Sequence, residues 1–176
     1  WSAKTRAKAC DRYVNGIFYD QDVYAKGHRV FIDAGVIDTG FMGGSHRNGK
    51  ILLERIFPLE IIVDENLCLN GEAPGEFYRR RRVGSRQLLA YFPNKKAIIN
   101  RSSANGETYY SLGDDGLAST YQDDRCELIE AWSLPVGDLP GRYVACLETG
   151  TLTDEDYTYT SPPFVAFRIH DVPVGY

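Results

Sequence analysis

Along most of the chain, apolar and polar residues alternate in short runs set off by turn dipeptides, which predicts strands. Near the C-terminal end, Val165, Phe167 and Ile169 alternate with Ala166, Arg168 and His170, the period-two pattern of a half-buried strand. Lys96-Ala97-Ile98-Ile99-Asn100 and Thr108-Tyr109-Tyr110-Ser111-Leu112 flank Asn105-Gly106 and predict a hairpin. Gln87-Leu88-Leu89-Ala90-Tyr91-Phe92 predicts a strand stopped by Pro93-Asn94. Residues 51–63 form an apolar run interrupted by Pro58, hence two strands or one bent edge strand. Asn-Gly recurs at 15–16, 48–49, 70–71 and 105–106, and Pro74-Gly75, Asp115-Gly116 and Pro140-Gly141 add further turns.

Only the first fifteen residues show helical spacing. Ser2 stands where a cap is needed, and Ala3, Ala7, Cys10 and Val14 share one face up to Asn15-Gly16. Beyond that point the pattern predicts strands throughout. The expected organisation is a helical or juxtamembrane segment at 1–16 and one mainly-β domain, an antiparallel β-sandwich, at 17–176. Within it the Gly-rich stretch 38–50 is the longest irregular segment.

Composition supports one folded domain. The 176 residues are 43% hydrophobic with a net charge of −4, outside the range of disordered chains. No stretch approaches the roughly 18 apolar residues of a membrane span, and about 70% of the unfolded surface is buried in a domain this long. Trp1 followed by Lys4, Arg6 and Lys8 suits a segment beside a membrane anchor lying outside this chain, and suits equally the arbitrary end of a longer one.

Charge is segregated along the chain. Residues 113–157 hold eleven acidic residues against Arg125 and Arg142, a net of −9, which leaves +5 for the remainder. Within that remainder, Phe77-Tyr78-Arg79-Arg80-Arg81-Arg82 and Arg86 form a dense basic run beside two aromatic rings. On a strand, Arg79 and Arg81 share one face and Arg80 and Arg82 the other. Three uses fit: pairing with the acidic segment, docking a protein partner or a second copy, and holding a polyanion. A sequence pI near 5.4 argues against dedicated nucleic-acid binding.

Cys10, Cys68, Cys126 and Cys146 contain no C-x-x-C, which removes zinc ribbons and thioredoxin-type redox motifs. Cys126 and Cys146 lie on either side of Val136-Gly137 in predicted strands. Antiparallel pairing about that turn brings them into disulfide range and leaves Cys10 for Cys68. Two bridges imply an oxidising compartment; four buried thiols in a cytosolic protein are the alternative.

Asp138-Leu139-Pro140-Gly141-Arg142-Tyr143-Val144 resembles the Leu-x-Pro-Gly-x-x-Tyr turn of fibronectin type III and related immunoglobulin-like sandwiches, one residue tighter. The resemblance implies seven or more antiparallel strands in a sandwich and a Tyr143 hydroxyl bonded back across the turn. Tyr143 precedes Cys146 by three residues, not the two of antibody domains, so no antibody-type pin is implied.

Catalytic signatures fail on inspection. Gly44-Ser45-His46-Arg47-Asn48-Gly49-Lys50 fits G-x-x-x-x-G-K, but Ile51 replaces the magnesium-binding hydroxyl and a strand-like run follows where a helix is required. His28, His46 and His170 lack metal-ligand spacing. Ser45, Ser85 and Ser161 sit in no nucleophile motif. Asn100-Arg101-Ser102 is a glycosylation triplet, and Tyr109, Tyr110, Tyr157 and Tyr159 fit cross-strand packing better than a sugar platform. No cofactor is expected. The reading is a non-catalytic extracytoplasmic binding or assembly module of an envelope, cell surface or virion, acting through its segregated charges. A secreted hydrolase on a β scaffold and a polyanion-binding module using residues 79–82 are the alternatives.

Overall fold

The structure is a computed structural model that describes residues 2–47, 49–63, 75–104, 108–112, 118–122 and 124–169. Cys68, His170 and the dipeptides Asn70-Gly71, Asn105-Gly106 and Asp115-Gly116 lie outside the described residues. The chain is β-rich and its sheets are antiparallel. It divides into two compact units, residues 1–60 with 161–176, and residues 61–160.

The first unit begins with helix α1, Ala3–Asp20. Ser2 caps it as its spacing predicts, accepting from the Thr5 amide at 3.3 Å. The helix does not stop at Asn15-Gly16 but runs to Asp20, where the Gln21 amide closes on the Ile17 carbonyl at 2.9 Å and Asp22 turns left-handed, φ 50°. A second helix, α2 at Val23–Ile37, occupies a stretch expected to be strand. Its β-branched residues favour strands in isolation, but burying Val30, Asp33 and Ala34 along one side requires the helical repeat.

Strands β1 (Thr39–Arg47) and β2 (Lys50–Ile56) follow, and β10 (Phe164–Arg168) completes the sheet in the order β10-β1-β2. The expected irregular stretch 38–50 is therefore mostly strand β1. Its glycines permit close packing: a Cβ on Gly40 would lie 2.2 Å from the Val30 carbonyl oxygen, so α2 rides directly on the β1 backbone. The hairpin cue at 48–49 holds, with Arg47 opposite Lys50 and Gly49 at φ +76°. Pro58 splits the 51–63 run as expected, opening a 3-10 turn at Pro58–Glu60.

The second unit is a five-stranded sheet ordered β3-β4-β7-β8-β9. Its strands are β3 (Ile61–Ile62), β4 (Glu76–Gly84), β7 (Arg125–Ser133), β8 (Gly141–Leu147) and β9 (Gly150–Tyr157). A separate ribbon pairs β5 (Thr108–Leu112) with β6 (Ala118–Gln122). The expected pairing of 96–100 with 108–112 is thus replaced by this ribbon. Helices α3 (Ser85–Tyr91) and α4 (Lys96–Ala104) stand where strands were expected. Runs of five or six apolar residues do not distinguish the two periods. Packing does: Leu88 and Ile99 each show 0% exposure against Val83, Cys126, Leu128, Ala145, Leu147 and Leu152 of the sheet.

Register decides the cysteines. Cys146 lies opposite Ile129, three residues from Cys126, and Cys126 lies opposite Val83. An odd offset places the two thiols on opposite faces of the sheet. Cys126 is buried, its thiol donating to the Ile99 carbonyl at 3.8 Å, and the expected Cys126–Cys146 disulfide does not form. Cys10 is exposed on α1 and is likewise free, so the expected bridge from Cys10 to Cys68 is not seen either. The tight reversal lies at 136–139, with Val136 bridged to Leu139 and Gly137 at φ +58°, while Gly141 to Val144 of the 138–144 stretch already belong to β8. The Tyr143 hydroxyl reaches out of it to the neighbouring strand, donating to Glu130 Oε1 at 3.0 Å.

Candidate functional site

The basic run is strand β4, and its partner is the acidic strand β7. Arg79 stands opposite Glu130 and Arg82 opposite Glu127, while Phe77 faces Trp132. Alternation along β4 turns Phe77, Arg79, Arg81 and Val83 inward and Tyr78, Arg80 and Arg82 outward. Arg79 and Arg81 share one face, as the strand period predicts.

On the inner face a carboxylate sits among cations and rings. Glu130 and Arg79 are both buried, at 8% and 6% exposure. Arg81 Nε lies 3.1 Å from Glu130 Oε2, an ion pair whose angle is too oblique for a hydrogen bond. Tyr143 satisfies the other carboxylate oxygen and stacks on Trp132, ring centroids 5.3 Å apart at 24°. A carboxylate in such a setting needs both charge and hydrogen bonds to offset its desolvation; Glu130 has the Arg81 charge and the Tyr143 bond, while its Oε2 accepts no hydrogen bond. On the outer face Arg80 grips Glu127 with two bonds, at 2.5 and 3.1 Å. That contact holds the Arg80 guanidinium above the ordinary arginine value. Arg86 is exposed on α3.

The residues singled out in sequence therefore do not form one patch. Phe77, Arg79 and Arg81 are held in the sheet's inner layer, Tyr78, Arg80 and Arg82 lie across the sheet, and Arg86 belongs to a helix. Arg80 and Arg81 of the basic run thus meet acids of the adjacent strand, and within the acidic segment itself Arg142 closes on Asp154 through bonds of 2.8 and 2.6 Å.

The remaining chemical candidates do not converge. Gly44 to Lys50 spans the β1–β2 turn and no helix follows it. His28 and His46 are exposed on α2 and β1. Ser45 and Ser161 belong to the first unit, and Ser85 of the second bonds Asp124 at 3.4 Å. Asn100 is exposed on α4, where the glycosylation triplet's Ser102 is buried. Tyr157 and Tyr159 meet at 5.4 Å, and burial followed by the neighbouring Tyr159 raises the Tyr157 hydroxyl. Among the described residues no three His, Cys, Asp or Glu side chains could hold a metal ion, and no helix is long and apolar enough to cross a membrane.

Sequence reasoning missed two features of the first unit. One is an ion pair: Arg55 of β2 donates to both carboxylate oxygens of buried Asp33 on α2, at 2.5 and 2.6 Å, with its guanidinium 5.7 Å from the Phe57 ring. The other is an apolar face. Phe31 of α2 meets Phe167 of β10 at 5.8 Å, and Ile169 Cδ1 lies beside Gly35. Phe31, Val165, Phe167 and Ile169 are all exposed, Phe31 and Val165 at 57% and 72%. The alternation of Val165, Phe167 and Ile169 signalled this strand correctly, but every residue from Val165 to Ile169 is exposed, so neither face is buried there.

No known family model matches the chain, and no curated protein matches its sequence.

Proposed function

We propose that the chain is a non-catalytic binding or assembly module whose contact surface is the apolar face of α2 and β10. The carrying observation is the set of exposed side chains Phe31, Val165, Phe167 and Ile169, joined across the two elements by the Phe31–Phe167 contact. Soluble chains keep such patches small unless a partner covers them. β10 also forms an edge of its sheet with one charged residue, Arg168. The β9 edge of the other unit, by contrast, carries Asp154, Glu155 and Asp156, a pattern that discourages pairing.

Docking through segregated charge loses its main support, because Arg80 and Arg81 engage Glu127 and Glu130 of the same unit. An extracytoplasmic setting gains no support from the cysteines, since Cys10, Cys126 and Cys146 are all free. An immunoglobulin-like arrangement rests on the 138–144 stretch, and the proposal does not depend on it.

The test is the double substitution Phe31→Glu with Val165→Glu. Both sites are exposed, so helical and strand signals are expected to persist while binding of an apolar fluorescent dye falls sharply. Dye binding equal to the parent chain's would overturn the assignment of the contact face.

A further inference from the structure

The proposed contact face leaves α1 unused, and α1 presents a separate problem. None of its eighteen residues is buried. Helices in proteins are held mainly by packing an apolar face rather than by intrinsic propensity. Ser2 and Thr5 secure its first turn, and Phe18 meets Tyr24 edge-on at its last, ring centroids 6.2 Å apart. Between those ends, nothing described covers it.

Its sequence nevertheless carries a seam. Ala3, Ala7, Cys10, Val14 and Ile17 follow steps of four and three, the spacing of positions that meet in a two-stranded coiled coil. Val14 is 46% exposed and Cys10 is exposed. The flanking positions are Lys4, Asp11 and Phe18 on one side and Arg6, Tyr13 and Asp20 on the other.

We infer that α1 pairs in parallel with α1 of a second copy of this chain. Charge complementarity selects both partner and direction. In a parallel pair, Arg6 of one copy meets Asp11 of the other and Tyr13 meets Phe18, each contact made twice by symmetry. An antiparallel pair centred on Cys10 would set Asp11 against Asp11 and Lys4 beside Phe18. A lipid surface is less well matched, because the seam offers alanine and cysteine where interfacial helices insert large apolar side chains. In the parallel pair Cys10 of one copy faces Cys10 of the other across the two-fold axis.

Sedimentation of the whole chain over a dilution series tests the pairing, with helical content followed in parallel. The parent chain is expected to show a monomer–dimer equilibrium. Arg6→Glu or Asp11→Arg alone should weaken it roughly tenfold, about 1.4 kcal/mol. The double variant, which restores opposite charges, should recover the parent constant. A short thiol–thiol cross-linker should join Cys10 to Cys10, identified by peptide mass. A strictly monomeric chain, failure of the double variant to recover dimerisation, or binding of α1 to anionic vesicles with no dimer would each overturn the inference. Phe31→Glu with Val165→Glu should leave this equilibrium unchanged, which separates it from the α2–β10 contact face.

Discussion

Asp33→Asn removes one charge from the α2–β2 ion pair while keeping the side chain's size. Asp33 is 6% exposed and its carboxylate receives both Arg55 hydrogen bonds. Breaking a fully buried pair by removing one partner costs about 3–5 kcal/mol. The Arg55 side chain is 36% exposed, however, and so can turn to water while staying near the Phe57 ring. Solvent screening reduces the expected loss to about 1–2 kcal/mol. The effect should also depend on pH. Hydrogen bonds from Arg55, opposed by burial and aided by its charge, hold the Asp33 carboxyl below its ordinary 3.8. A depressed folded-state value means that the unfolded chain takes up the proton first. The stabilisation is therefore complete above the ordinary value and disappears as pH falls through the lower, folded one. Urea titrations read by far-ultraviolet circular dichroism should show the gap between parent and variant at neutral pH and its narrowing as the pH falls below the ordinary carboxylate value. The near-ultraviolet signal of the stacked Trp132–Tyr143 pair reports the other unit and should not move. Equal stability at neutrality, or a gap untouched by acid, would refute the reasoning.

Ile99→Ala should destabilise the second unit by about 2–4 kcal/mol, since the side chain is fully enclosed between α4 and the sheet and its loss leaves a cavity. An unchanged denaturation midpoint read from the Trp132–Tyr143 signal would contradict that packing. Arg80→Ser should leave the same midpoint within experimental scatter, because the Arg80–Glu127 pair is exposed on both sides, at 62% and 37%. A large loss would show that the outer β4 ladder is more than a surface pairing.

Several features were legible because their causes are local. Ser2 caps α1 through an amide three residues away, Gly49 accepts a left-handed turn, and Pro58 interrupts a ladder it cannot join. The two faces of the arginine run followed from the strand period alone. Other features had no local cause. Asn15-Gly16, a hairpin cue elsewhere, lies inside α1, and the β-branched α2 is helical because Val30, Asp33 and Ala34 must face one sheet. Leu88 and Ile99 gave no period in runs so short, and became helical where two short helices could cover β4, β7 and β8.

By itself, then, the sequence determined a β-rich, antiparallel chain, the helix that opens it, the turns at 48–49 and 58, and the presence of a basic run and an acidic one. Tertiary structure alone decided which residues those charges meet, that Cys126 and Cys146 look away from each other, and that Val165, Phe167 and Ile169 are exposed. The reason is physical: caps, turns and periods act over a few residues, whereas strand register and the covering of a face depend on segments distant in the chain. A register offset of three residues costs nothing locally, yet it reverses the face on which a cysteine points.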